Sequence, residues 1–92
     1  MISEYDKNII LEYAEKFDLS SVILFGSSLH KEDANDIDIG VKGIRPEFFF
    51  KFYGQLMLHL SKNMDVVDLS KKNAFTDLVE REGMVIYGRH SL

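Results

Sequence analysis

Cysteine is absent from this 92-residue sequence. Its absence excludes disulfides, a thiolate zinc site and a thiol nucleophile. The sequence also lacks any run of about 20 apolar residues that could span a bilayer. Residues 1–6 have neither the basic flank nor the apolar stretch of a signal peptide. We therefore expect a cytoplasmic protein without a membrane partner.

Basic charge is also scarce. The formal net charge is −4, and residues 1–46 hold five Lys/Arg against nine Asp/Glu, whereas residues 47–92 hold six of each. A protein that binds a nucleic-acid backbone normally carries a basic stripe, and none is visible, so we expect no nucleic-acid partner. If the substrate is a polyphosphate, a divalent cation must offset the carboxylates of the first half.

The chain has the length of one domain, which we place at residues 1–92, because single hydrophobic cores usually comprise about 100–150 residues. Helical spacing, period-two alternation and capping residues predict an alternating α-β order. This order is typical of a small α/β sandwich on a mixed sheet flanked by helices. The predicted helices begin at Ser3, Pro46 and Asn73 and end near Phe17, Lys62 and Glu82, with Gly83 as the last stop signal; a turn or short helix covers residues 27–32. The predicted strands are Val22–Phe25, Asp36–Val41, Met64–Leu69 and an edge strand Val85–Tyr87.

Two features predict a nucleotide and metal site. The buried strand that ends at Phe25 is followed by Gly26, Ser27 and Ser28, where a glycine lets a phosphate approach the backbone and a hydroxyl can donate to it. Asp36 and Asp38 lie two residues apart on the next strand, so both carboxylates leave the same face. Two such anions are costly side by side unless a cation lies between them, and Mg²⁺ is held by carboxylates together with substrate phosphates.

A third carboxylate is offered by the strand predicted to neighbour this pair. Asp65 and Asp68 have opposite parity, so only one of them can face the site in a regular strand. We favour Asp65, with Asp68 as the alternate ligand, because Asp68 comes close to the end of the strand. Three carboxylates could hold two metal ions about 3.5–4 Å apart, the arrangement that clamps both oxygens of a phosphoryl displacement.

From Val22 to Tyr87 the sequence resembles the minimal nucleotidyltransferases of the DNA polymerase β-like superfamily. The resemblance rests on Phe25-Gly26-Ser27, on Asp36-Ile37-Asp38-Ile39, on the strand with Asp65, and on the segment from Glu80 to Tyr87. It implies the polymerase β-like palm fold, two Mg²⁺ ions held by Asp36, Asp38 and Asp65, and ATP phosphates held at Gly26, Ser27 and Ser28. It further implies an antitoxin that transfers AMP from ATP to a hydroxyl of a HEPN-domain ribonuclease toxin.

The spacer from Ser28 to Asn35 departs from the family pattern. It has eight residues where members usually have ten, and Lys31 is its only permanently cationic side chain. An alternative function therefore stays open, in which the chain neutralises a HEPN toxin by binding and occluding it. A third option is transfer to RNA or to a small molecule. The sequence leaves the oligomeric state open.

The aromatic run Phe48-Phe49-Phe50 has two interpretations. Three consecutive helical residues point in directions that span about 200°, at about 100° per residue, so they cannot all point into one core. In the first interpretation Phe49, Phe52 and Tyr53 belong to the core and the others are partly exposed. In the second, Phe48 or Phe50 contributes to an apolar surface for a partner protein.

Overall fold

A four-stranded mixed sheet lies at the centre of the fold in the computed structural model, which describes residues 2–29 and 36–88. The strands are β1 (Ser21–Phe25), β2 (Asp36–Lys42), β3 (Asn63–Asp68) and β4 (Met84–Gly88), in the order β3-β2-β1-β4. β1 runs antiparallel to both β2 and β4, whereas β3 runs parallel to β2. The mixed sheet predicted from the sequence is confirmed.

In the part of the chain that the structure describes, three helices connect and cover the sheet. They are α1 (Glu4–Lys16), α2 (Phe49–His59) and α3 (Ala74–Glu82); two 3₁₀ turns, Gly26–Leu29 and Pro46–Phe48, precede β2 and α2. Since parallel strands need a crossover connection, α2 provides the link from β2 to β3. Within the described residues, no helix is long and apolar enough to cross a membrane. Residues 30–32 of the predicted short helix lie outside the described part of the chain.

Alternation along the strands divides the apolar residues between the two faces of the sheet. The larger core joins α1 and α2 to one face; its buried members include Ile10, Ala14, Val22, Leu24, Ile37, Ile39, Val41, Phe52 and Leu56. On the opposite face, Ile23, Leu69 and Val79 form a smaller cluster beneath α3. This second face also carries the side chains of Asp36 and Asp38 and the Cα of Gly40 on β2. The acidic pair therefore shares its face with only a small apolar cluster.

The start of α1 has only half of a capping box, in which Ser3 would cap the helix and the side chain of Asp6 would bond back to Ser3. Ser3 is the N-cap, and its hydroxyl accepts a hydrogen bond from the backbone N–H of Asp6 at 3.1 Å. The carboxylate of Asp6, however, is buried and accepts from the backbone N–H of Ser61 at 2.9 Å and from the Ser61 hydroxyl at 2.6 Å. Asp6 thus ties α1 to the segment after α2, 55 residues away in sequence.

α3 begins and ends where the sequence predicts. Asn73 and Thr76 form a reciprocal capping box, with the Asn73 side chain accepting from the Thr76 N–H at 2.9 Å. Gly83 ends the helix with φ −78° and ψ 171°, which is extended backbone and not the left-handed conformation of a glycine C-cap. Space is the reason for glycine here, because a Cβ at position 83 would lie 2.9 Å from the carbonyl oxygen of Leu24 and still closer to Ile23.

The predicted helix from Pro46 to Lys62 is shorter in the structure. Pro46 opens a 3₁₀ turn, α2 begins at Phe49, and Leu60 is its C-cap. Phe52 is fully buried, whereas Phe49 and Tyr53 are half-buried, which confirms the predicted core face. Phe50 is 82% exposed.

Glu80 attaches α3 to the sheet and to the loop before the helix. Its carboxylate pairs with Lys42 at the end of β2 and with Lys72, whose Nζ lies 3.2 Å away. The hydrogen bond from Lys42 is the largest cause of the lowered pKa of Glu80. Burial acts in the opposite direction, and the hydrogen bond from Lys72 lowers the pKa further. A carboxyl group with a lowered pKa in the folded state stabilises the fold above its unfolded pKa, and this stabilisation is lost as pH falls through the folded pKa.

Glu80→Gln is therefore expected to lower the free energy of unfolding by about 1 kcal/mol at pH 7. The difference from the unmodified protein should begin to shrink as pH falls below about 4.3, the ordinary pKa of glutamate, and should disappear once pH lies below the lowered pKa of Glu80 in the folded protein. Urea denaturation at pH 7 and at an acidic pH below the folded pKa of Glu80 measures both effects. Glu82→Gln on the same helix is the control, because its contact with Arg81 is exposed and 3.9 Å long. A loss of stability that is the same at both pH values would contradict the assigned ion pairs.

Candidate active site

The acidic pair lies on one face of β2, as the alternation predicts. Asp36 is exposed and Asp38 is half-buried, whereas the neighbouring Ile37 and Ile39 are buried on the opposite face. Further along the same face, Gly40 is covered by Leu69: a Cβ at position 40 would lie 2.7 Å from Leu69 Cδ1. The face is thus closed over Gly40 and accessible at Asp36.

The strand register brings a third carboxylate beside this pair. In the parallel pairing of β2 with β3, Asp38 lies opposite Asp65, so the two side chains leave the same face of adjacent strands. Asp68 lies opposite Val41, and its Oδ1 accepts a hydrogen bond from the backbone N–H of Ser70 at 2.9 Å. Asp68 therefore caps the turn after β3, and the geometry favours Asp65 as the partner of Asp38.

Gly26 brings the turn predicted to bind phosphate directly against Asp38. Its φ is +72°, a left-handed conformation that L side chains rarely adopt, and a Cβ at this position would collide with the Asp38 carboxylate. The pairing of β1 with β2 sets this contact, because Phe25 lies opposite Asp38. Ser27 follows on the exposed side of the 3₁₀ turn. The glycine is required both for the backbone conformation and for the close approach to the carboxylate.

The electrostatics of the three carboxylates match a site for a cation. Burial raises the pKa of Asp38, and the charges of Asp65 and then of Asp36 raise it further. These carboxylates repel one another, and a hard divalent cation with oxygen ligands would relieve that repulsion. Within residues 2–29 and 36–88, no group of three or more His, Asp or Glu side chains is arranged to hold a metal ion. The donor set therefore suits Mg²⁺ in its chemistry, but three ligands do not converge on one point.

The hydroxyl of Tyr53 reaches the same group of carboxylates from α2. It donates to the carbonyl oxygen of Met64 at 3.0 Å and lies 3.4 Å from Asp65 Oδ1. Burial is the main cause that raises the pKa of Tyr53, followed by the charge of Asp65 and the hydrogen bond to it. The sequence places Tyr53 only in the core, because helical spacing cannot show that its hydroxyl extends past the apolar contacts to a neighbouring strand.

The sequence model of the polymerase beta nucleotidyltransferase family matches residues 7–92 of the chain. The chain belongs to this family. The resemblance found in the motifs is thus confirmed, and with it the nucleotidyltransferase fold. No significant match is found among curated protein sequences.

Solved structures with a similar fold include toxin–antitoxin complexes. A MntA–HepT structure is 20% identical over 95% of this chain and 74% of the other, with a TM-score of 0.70. A toxin–antitoxin structure with AMP-PNP is 22% identical over 90% of this chain and 73% of the other, with a TM-score of 0.72. A complex of a tri-AMPylated HEPN toxin with an MNT antitoxin, from Shewanella oneidensis, is 22% identical over 91% of this chain and 71% of the other, with a TM-score of 0.69.

An apolar groove adjoins the turn of this nucleotidyltransferase. Its volume is about 620 Å³. It lies between the turn and α3, and its lining includes Phe25, Gly26, Ser27, Phe75 and Leu78. The rings of Phe25 and Phe75 meet edge to face with centroids 5.8 Å apart, and Phe75 is half exposed. Phe75 is not predicted from the sequence, although its position just after the Asn73 cap is a signal that could have placed it on the sheet side of α3.

Parts of the predicted site lie outside the described residues. Ser28 belongs to the 3₁₀ turn, but its side chain is not among those described. The spacer beyond Leu29, including Lys31, also lies outside them. The candidate site therefore consists of Gly26 and Ser27 on the turn and of Asp36, Asp38 and Asp65 on the sheet.

Proposed function

We propose that this nucleotidyltransferase transfers AMP from ATP to a hydroxyl group of a protein, and that the acceptor is a HEPN-domain toxin which it neutralises as an antitoxin. The observation that carries the proposal is the packing of Gly26 against the Asp38 carboxylate, with Asp65 in register beside it. This arrangement places a turn suited to phosphate next to carboxylates suited to a divalent cation.

Different residues of the candidate site would have different roles in a phosphoryl displacement. Asp36, Asp38 and Asp65 would hold two Mg²⁺ ions, which when bound supply positive charge that offsets the phosphates and the leaving group. Gly26 and Ser27 would bind the triphosphate through backbone N–H groups and the hydroxyl. The acceptor oxygen would attack the α-phosphorus. The bond between the α-phosphorus and the oxygen that bridges it to the β-phosphate would break, and pyrophosphate would leave. Asp65, which is exposed, would receive the acceptor's proton.

The relatives support the substrate and the partner. One was solved with AMP-PNP, an analogue of ATP, and another contains a HEPN toxin that carries AMP groups beside an MNT antitoxin. This chain shares their fold and has carboxylates and a Gly-Ser turn in one place. Transfer of AMP to a protein is therefore the reaction that best fits both the site and the relatives.

A second candidate function is neutralisation by binding alone. Phe50, Met57 and Leu58 on the outer side of α2 are 82%, 60% and 77% exposed. Exposed apolar residues that lie close together on one helix are typical of a protein-binding surface. Such a surface would let the chain cover a HEPN toxin without chemistry, and it would equally hold the toxin for modification.

The experiment that separates the two candidates requires a HEPN-domain protein encoded next to this one, which the proposed function predicts. The two purified proteins are incubated with Mg²⁺ and ATP, and the intact mass of each is measured. We expect the partner to gain the mass of one or more AMP groups and to lose ribonuclease activity.

Replacing ATP with α,β-methylene-ATP, which cannot release pyrophosphate, is the matched control. If neutralisation requires AMP transfer, the toxin should keep its full ribonuclease activity with this analogue. Full inhibition with the analogue and an unchanged partner mass with ATP would contradict AMP transfer and establish occlusion.

A further inference from the structure

Tyr53 joins α2 to Asp65, an exposed carboxylate of the site. Asp65 lies on β3, which is an edge strand, and its side chain is exposed. The Tyr53 hydroxyl lies 3.4 Å from Asp65 Oδ1 and 3.0 Å from the carbonyl oxygen of Met64, the residue before Asp65. One tyrosine therefore contacts both the backbone and the carboxylate at this point of the strand.

We propose that Tyr53 is a positioning residue which orients the Asp65 carboxylate for the divalent cation. This inference rests on the proposed function, because that function assigns Asp65 to the metal site. It adds a residue from α2, on the other side of the sheet, to a site that the motifs place on the strands and the glycine turn.

Repulsion makes such an orienting contact necessary. Asp38 lies opposite Asp65, so the two anionic side chains leave the same face next to each other. Asp38 is held by its contact with the Gly26 backbone on one side. Asp65 has no strand beyond it, so repulsion alone would turn its carboxylate towards solvent. The Tyr53 hydroxyl has one proton, which the Met64 carbonyl and Asp65 Oδ1 share. Its interaction with Oδ1 reduces the number of rotamers available to Asp65 and leaves the second oxygen for a cation.

The Tyr53 ring is itself fixed by packing. It is half-buried against the larger core and meets the Phe49 ring edge to face, with centroids 6.3 Å apart. The position of its hydroxyl is therefore set by α2 and not by the strand that carries Asp65. Groups of this kind, which bond to a metal ligand from outside the coordination sphere, typically change metal affinity about 10–100-fold when they are removed.

Tyr53→Phe tests the role of the hydroxyl, because it retains the ring and its packing against Phe49. The probe is Mn²⁺ alone, titrated into the nucleotide-free protein and followed by electron paramagnetic resonance. We expect the dissociation constant for Mn²⁺ to rise about 10-fold. Tyr13→Phe is the control, because Tyr13 is also half-buried and its hydroxyl bonds weakly, at 3.5 Å, to Gln55 Oε1. It should leave the dissociation constant unchanged.

Thermal unfolding with and without Mn²⁺ separates positioning from a structural role through Met64. If Tyr53 orients Asp65, Mn²⁺ should raise the melting temperature of Tyr53→Phe by less than it raises that of the unmodified protein. A lower melting temperature with an unchanged increase would overturn the inference.

Asp38→Asn shows whether the proposed function itself has failed. If Asp38→Asn leaves Mn²⁺ binding intact, the assigned metal site is wrong. If it abolishes binding while Tyr53→Phe does not weaken it, only the role of Tyr53 is wrong.

Discussion

Asp38→Asn is expected to reduce AMP transfer by about 10³-fold or more, equivalent to about 4 kcal/mol of transition-state stabilisation. Asparagine keeps the shape of aspartate and its place against Gly26, but it removes the charge that faces the cation. Transfer to the HEPN partner, followed by intact mass at saturating ATP and Mg²⁺, measures the loss. Asp68→Asn is the control, because Asp68 caps the turn at Ser70 and should leave the rate nearly unchanged.

The same substitution should make the metal-free protein more stable at pH 7. The folded pKa of Asp38 is raised by burial and by the charges of Asp65 and Asp36. An acid with a raised folded pKa destabilises the fold once pH rises through that pKa, so at neutral pH the charged Asp38 lowers stability. Asp38→Asn removes this effect, and its melting temperature without metal should exceed that of the unmodified protein. A variant that is both more stable and inactive would show that the carboxylates serve the site and not the fold.

Asp36→Ala/Asp38→Ala addresses the choice between chemistry and occlusion in the complex. If the double variant binds the HEPN partner but no longer suppresses its ribonuclease activity, chemistry is required. Full suppression by the double variant would establish occlusion. The partner must be shown to co-purify with both forms, so that loss of binding is not mistaken for loss of chemistry.

Most of the fold could be predicted from the sequence because its signals are local. The alternation at Asp36–Val41 fixes which residues of β2 are buried, and the Asn73 cap with Thr76 fixes the start of α3. Such signals depend on neighbours within one or two turns. Contacts across the chain leave no local signal: the bonds from Ser61 to Asp6 span 55 residues.

The candidate site divides in the same way. Asp36, Asp38 and Gly26 could be proposed from spacing, because residue type and parity are readable in the sequence. Asp65 could be preferred to Asp68 because Asp68 comes close to the end of the strand, but the position of Asp65 opposite Asp38 depends on the register that the α2 crossover sets. Tyr53 could not be proposed, since its contact with Asp65 depends on how α2 packs beside β3. Residues contributed by packing are the ones that spacing does not reveal.

Gly26→Ala is expected to lower AMP transfer by about 10²-fold, because a small misplacement of reacting groups has effects of this size. Alanine at φ +72° is strained by about 1–2 kcal/mol. Its Cβ would also meet the Asp38 carboxylate, so either the turn or the carboxylate must move. Both movements would separate the turn proposed to bind phosphate from the carboxylates proposed to bind metal. We therefore expect weaker Mn²⁺ binding together with slower transfer.

Gly54→Ala is the matched control for the stability effect of adding a methyl group. Gly54 lies within α2, and a Cβ there would meet no atom within 4 Å. Alanine at this helical position should raise the free energy of unfolding by about 0.5–1 kcal/mol and leave Mn²⁺ affinity unchanged. Measurements well below both melting temperatures separate the loss of transfer from unfolding. If Gly26→Ala retained the full transfer rate and Mn²⁺ affinity, the contact between the glycine turn and Asp38 would have no part in the reaction, and the observation that carries the proposed function would fail.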